Sequence, residues 1–389
     1  MRIPRTLIVC LAVTVCLIVQ SVTMACPFCS APSLTLTERL AQADAAVLVE
    51  WIDGQKPAKN KAGNTVYRIK QIARASGNEL KVGGKITLPR YRTGKKGELF
   101  MLMGSKAVAL EWGSPMEVSG FSFAYLTEAP SPDAPTAKRL AYFVKFLEAP
   151  DRIIANDAYA EFANAPYKDI TAVAKLLPRE KIRKWVASSE TPVTRIGLYG
   201  LLIGLCGTKE DAKLIEAKIS EKTDDFRLGM DGVMSGYLML MGDKGLDVID
   251  KLKLTDRKVA FSETYSAMQA LRFMWTYGND RIKKERLRQS MRLLLDRPEL
   301  ADLVIADLAR WKDWSVQSQL MEIYGKGDFN VPSIKRAIIR YMIVSTRDTP
   351  SGDAVKKPPH VVDGEKHLKL LRQNDPKTVK QAERFFFLK

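Results

Sequence analysis

Three stretches of this chain repeat one phrase, an apolar run of helix length closed by glycine and a polar pair, then a second amphipathic run. They are GLYGLLIGLCGTKEDAKLIEAKI, SGYLMLMGDKGLDVIDKLKL and ALRFMWTYGNDRIKKERLRQSMRLLL. The closing glycines are Gly207, Gly242 and Gly278, 35 and then 36 residues apart, and a looser fourth copy, LMEIYGKGD, carries Gly325. The apolar periodicity predicts helices. Glycine at each helix end predicts a left-handed cap and a tight antiparallel return, because a residue without Cβ adopts positive φ at little cost. Helix pairs at a near-constant period predict an α-solenoid over 138–345, each pair burying its apolar side against its neighbours.

Ahead of residue 129 the period changes. AAVLVEWI, TVYRIKQIA, GKITLPRYR, ELFMLMG and FSFAYLTE are β-branched, aromatic or alternating, and most are separated by Gly, Asn or Pro. Five strands in so short a stretch predict a small barrel over 26–128, closed or partly open, since closure is how a small β domain removes its edges. Thr35 and Glu38 form a capping box ahead of a short helix, LTERLAQAD. The segment 129–137, APSPDAPTA, reads as a linker, and 346–389 as a polar extension. In that extension TRDTPSGDAVKKPPHVVDG is expected to be a loop and DPKTVKQAERFFFLK a terminal helix whose Phe385 to Phe387 dock.

Residues 1–25 have the layout of an export signal: Arg2 and Arg5, the apolar run LIVCLAVTVCLIV, then small residues at Thr23 and Ala25. The run falls short of the about 20 residues that a spanning helix needs, so no transmembrane segment is expected in the mature chain. Cleavage after Ala25 would leave Cys26 first, in the motif CPFC with Cys29. The expected location is exported, periplasmic or secreted, with a lipid anchor at Cys26 as the alternative. Thr23 stands where a lipoprotein signal usually carries an aliphatic residue. Cys10 and Cys16 leave with the signal, so Cys26, Cys29 and Cys206 remain and the fold must rely on ordinary cores. The formal net charge is +17, a balance that favours anionic neighbours or serves solubility.

The repeats resemble those of HEAT-like proteins, on the helix pair, the period and the glycine turn of TPVTRIGLYGLLIGLCGTKEDAKLIEAKI. That likeness implies a curved scaffold that binds other proteins. The front segment is similar to the OB-type barrel of netrin-like modules, which include tissue inhibitors of metalloproteinases. The likeness lies in a cysteine motif at the mature terminus, ADAAVLVEWI and GELFMLMG. Those inhibitors begin C-x-C and pair with barrel cysteines, whereas this chain has C-x-x-C and no further cysteine before Cys206, so inhibition is an analogy only. The layout as a whole, with NDAYAEFANAPY, resembles exported bacterial proteins and implies no activity.

Four roles are open to CPFC: redox centre, metal clasp, lipid anchor or terminal disulfide. A thioredoxin-type thiol sits at a helix start, whereas Pro32 and Thr35 put the helix past both cysteines. One CxxC gives two of the four ligands of a structural zinc, and His360 and His367 lie far away, so no metal is expected. A local disulfide fits best, and Cys206 reads as a small core residue. G-x-S-x-G, H-E-x-x-H, Walker and G-x-G-x-x-G signatures are absent, and Asp224 with Asp225 reads as a solvated turn. KPAKNKAG and RYRTGKKG are expected on neighbouring loops, and the second carries Arg90, Arg92, Lys95 and Lys96, a candidate anion site of the kind OB barrels use, although one aromatic, Tyr91, is too few for a stacking platform. RIKKERLRQSMR, Arg281 to Arg292, reads as the outer face of a solenoid helix. The expectation is therefore an OB-like barrel followed by a HEAT-like α-solenoid, a non-enzymatic binding protein with a protein partner and no cofactor. The alternatives are thiol-disulfide chemistry at Cys26 and Cys29, or an anionic polymer held by the barrel loops.

Overall fold

The computed structural model describes residues 26–29, 34–59, 61–75, 77, 79–223, 225–349 and 356–384. The expected signal with Cys10 and Cys16, Asp224, the 350–355 part of the polar loop and Phe385 to Phe387 lie outside them. The chain divides into two compact units, Met1–Pro178 and Arg179–Lys389. The division falls beyond the proline-containing segment 129–137, because the helices that follow this segment pack in the first unit.

In the first unit the capping box opens helix α1 (Leu36–Gln42). The Thr35 hydroxyl accepts the Glu38 N–H at 3.3 Å, and the Glu38 carboxylate accepts the Thr35 N–H at 2.8 Å. Six strands follow: β1 (Ala45–Gln55), β2 (Asn64–Arg74), β3 (Lys85–Leu88), β4 (Leu99–Lys106), β5 (Leu110–Trp112) and β6 (Met116–Glu117). They form one antiparallel sheet in the order β3-β2-β1-β4-β5, with β6 also on β4. Alternation sends Val47, Val49, Tyr67, Ile69, Phe100 and Leu102 into one core, where Tyr67 meets Phe100 edge-on at 5.6 Å. Ala46, Leu48 and Met101, on the opposite face, are buried as well.

The sheet is open, which corrects the closed or OB-like barrel expected from the strand count. FSFAYLTE, read as a fifth strand, is helix α2 (Gly120–Glu128). Ser119 and Ser122 cap it reciprocally, each hydroxyl accepting the other's backbone N–H at 3.0 Å. Without that strand, β3 pairs only with β2 and β5 only with β4 among the described residues, and the edge strands β3, β5 and β6 are four, three and two residues long. Helices α3 (Thr136–Phe143), α4 (Arg152–Asn164) and α5 (Tyr167–Ala172) complete the unit, α4 packing on α2 and α3.

The second unit is helical: α6 (Arg179–Ala187), α7 (Val193–Cys206), α8 (Lys209–Ser220), α9 (Met230–Met241), α10 (Asp243–Ile249), α11 (Phe261–Tyr277), α12 (Lys284–Arg292), α13 (Pro298–Arg310), α14 (Gln317–Ile323), α15 (Pro332–Ser345), α16 (Pro359–Asn374) and α17 (Pro376–Arg384). Helix α9 packs on both α7 and α11, and α13 packs on α15, which also carries α16 and α17. The closest approach is α7 on α9, where a Cβ on Gly236 would fall on the Gly200 carbonyl and one on Gly232 on that of Gly197. The closing glycines follow the expected turn only in part. Gly242 and Gly325 have positive φ, 59° and 69°. Gly207 is extended and Gly278 helical; each is glycine because a Cβ would strike the last-turn carbonyl its own N–H binds, Ile203 and Met274 respectively. HVVDG, expected in the polar loop, lies in α16, which Pro359 starts at a position where a missing N–H costs nothing.

Candidate functional site

The CPFC motif forms a disulfide, Cys26 to Cys29, with Cα atoms 5.5 Å apart. Cys26 is buried, and its N–H donates to the Ala163 carbonyl at 3.2 Å, at the end of α4. No helix starts at either sulfur, as α1 begins at Leu36. Behind the disulfide is a polar seat that sequence reasoning missed. The Leu36 N–H donates to Asp157 Oδ1 at 2.6 Å, the Thr37 hydroxyl to Glu161 Oε1 at 2.6 Å, and the Tyr125 hydroxyl to Asp157 Oδ2 at 2.8 Å. Arg139 pairs with Glu161 from a neighbouring helix. Asp157 and Glu161 are one turn apart on α4 and both buried. Burial pushes the Asp157 carboxyl up to about 6, against the pull of the Leu36 and Tyr125 donors. The signal was present in NDAYAEF: two acids at i, i+4 on a helix whose other buried residues are Ala, Ile and Phe.

The basic loop of the sheet is mostly occupied with itself. Arg90 donates to the carbonyls of Trp112 and Gly113. The Thr65 hydroxyl donates to the Arg90 carbonyl at 2.9 Å and accepts the Arg92 N–H at 2.8 Å. The Arg92 guanidinium lies over Phe100, 4.8 Å from the ring centroid, and reaches Glu117 at 3.6 Å. Tyr91 packs against Gly63, which brings the KPAKNKAG and RYRTGKKG loops together. Lys95 and Lys96 are exposed, the Lys95 N–H bound to Glu98.

In the second unit, several arginines of RIKKERLRQSMR are likewise tied to neighbouring groups, while Lys283, Lys284 and Gln289 are exposed. Arg286 holds Asp247 and Asp250, each at 2.7 Å, Arg288 holds the Trp311 carbonyl, and Arg292 holds Asp313 at 2.7 Å. A groove of about 720 Å³ between α13 and α15 is different. Arg310, Arg336, Arg340 and Arg347 line it, with Asp302 the acid among them. Arg336 makes no hydrogen bond or ion pair among the described residues; Arg340 uses only its Nε, on the Ala382 carbonyl at 3.4 Å. Arg310 pairs with Asp307 at 3.1 Å and is largely exposed. The sequence carried this as Arg336 and Arg340 one turn apart on α15, facing an alanine-rich α13.

Among the described residues no group of three or more His, Cys, Asp and Glu could hold a metal ion, and no helix is long and apolar enough to cross a membrane. His360 stacks on Trp314 at 5.7 Å beside Asp348. Burial holds His367 below its ordinary value and pushes the Cys206 thiol up to about 11, the wrong direction for a nucleophile. No protein-family model, curated protein or solved structure matches the chain.

Proposed function

We propose that the protein is an exported, non-enzymatic binding scaffold whose helical unit, a HEAT-like solenoid, holds a protein partner. The observation that carries this reading is the groove between α13 and α15. Elsewhere in the unit most arginines are taken up by neighbouring carbonyls and acids. In the groove Arg336 makes no hydrogen bond or ion pair among the described residues, and Arg340 uses only its Nε. The disulfide supports the same reading from the other unit. Burial of Cys26 and its N–H bond to the Ala163 carbonyl favour a fastening role for this disulfide over exchange with passing thiols.

The test is site-specific photo-crosslinking in cells that express the chain, with a benzophenone amino acid in place of Ala337 in the groove or of exposed Lys213 on α8. A scaffold gives a discrete heavy adduct from position 337 and none from 213. The absence of any adduct from the groove removes the reading.

A further inference from the structure

We propose that the α13–α15 groove takes an extended acidic peptide segment of the partner protein, reading its carboxylates with Arg336 and Arg340. The inference rests on the scaffold reading and adds the chemistry of what is bound.

Charge is the first argument. Arg336 and Arg340 have no ion-pair partner among the described residues, Arg310 being paired with Asp307, and Asp302 is the one acid in the lining, so the groove carries net positive charge; guanidinium forks fit carboxylates in pairs of parallel hydrogen bonds. An arginine without a partner is an uncommon arrangement in this unit, where guanidinium groups otherwise close bonds to Asp, Glu or carbonyl oxygens. Arg336 therefore has its full hydrogen-bonding capacity available to a ligand.

Spacing is the second. Arg336 and Arg340 are four residues apart on α15, about 6 Å along the helix axis. Alternate residues of an extended chain, which face the same way, repeat every 6.6 Å or about that. Two acids at i and i+2 of an extended peptide thus meet two arginines one helical turn apart. Arg347, just beyond the end of α15, continues the row.

The surface between the arginines selects the ligand class. Ala306, Ala337 and Val344 offer methyl groups to the backbone and small side chains of a peptide. A sugar chain would need acceptors for its hydroxyls, and the groove supplies Asp302 and Ser333. Single-stranded nucleic acid would need an exposed aromatic for its bases. The one aromatic in the lining, Tyr341, is buried, with its hydroxyl donated to the Asp313 carbonyl.

The experiment titrates the full chain into a fluorescent alternating Glu-Ala peptide about twelve residues long, a length that more than spans the arginine row. The Gln-Ala peptide, oligothymidylate and heparin serve as parallel probes. The expected result is saturable binding of Glu-Ala that weakens as salt rises, and no binding of Gln-Ala. Arg336→Gln should weaken binding about tenfold, and Arg336→Gln with Arg340→Gln about a hundredfold, a charged hydrogen-bond pair being worth roughly one decade each. Arg336→Gln breaks no hydrogen bond or ion pair among the described residues, so its effect is read at unchanged melting temperature. Equal peptide affinity in wild type and the double variant overturns the proposal. So does oligothymidylate or heparin binding more tightly than Glu-Ala with the same dependence on Arg336 and Arg340. A position-337 adduct that survives in the double variant removes the acidic peptide and leaves the scaffold standing, whereas loss of the adduct in wild type removes the scaffold itself.

Discussion

Asp157 spends both carboxylate oxygens on donors from elsewhere in its unit, the Leu36 N–H and the Tyr125 hydroxyl, yet burial still outweighs them and keeps its carboxyl easier to protonate than usual. A pKa raised on folding makes the folded state bind the proton more tightly. Its stabilising contribution is full below the ordinary carboxylate range and is lost as pH rises through about 6. The ionised form then costs about 3 kcal/mol at neutral pH. Asp157→Asn retains an acceptor for Leu36 and lets the Tyr125 hydroxyl accept from the amide. The variant should therefore lose the rise in stability that the wild type shows on going from neutral pH to about pH 4. Urea melts of both proteins across that range measure it, and parallel pH curves would show that Asp157 is not the titrating group. Replacing Cys26 and Cys29 by Ser should cost about 2 kcal/mol, as expected for so short a closed loop. Hydrogen exchange around Leu36 and Ala163 is the readout.

Among the elements, the α7–α9 contact is the least forgiving. Gly236→Ala drives a methyl onto the Gly200 carbonyl, so the helices must separate, at about 3 kcal/mol or more. Gly120→Ala, where a Cβ meets open space, should change little. Thermal melts of the two variants test the contrast, and equal melting temperatures would refute it. The six glycines behind this contact, Gly197, Gly200 and Gly204, then Gly229, Gly232 and Gly236, repeat one spacing at an offset of 32 residues, a signal legible in the sequence. Other elements were legible only by half. The capping box at Thr35 holds because it is a purely local pair of hydrogen bonds, and four of the expected strands hold because their β-branched and aromatic residues suit a sheet face. FSFAYLTE is too short to separate the two periods: Phe123, Tyr125 and Leu126 are buried while Phe121 is exposed, a pattern settled by the Ser119 cap. The groove was harder to read, since what distinguishes Arg336 from Arg286 is the presence of acids on neighbouring helices, and one sequence does not align helices in space.

At the scale of the molecule, each unit has its own core, and destabilisation should stay where it is made. In hydrogen exchange with peptide resolution, Gly236→Ala should speed exchange through Arg179–Lys389 and leave β1 and β4 unchanged; faster exchange in the central strands would contradict that. The seat formed by Asp157 and Glu161 adds a matter of timing. Leu36 and Thr37 meet those acids across 121 and 124 residues of chain. At a synthesis rate of about 5–20 residues per second, the amino-terminal segment emerges on the order of ten seconds before its seat exists. This early part of the chain thus stays uncovered until α4 is made, and any enzyme that trims, oxidises or modifies the region around Cys26 works on an open substrate until then.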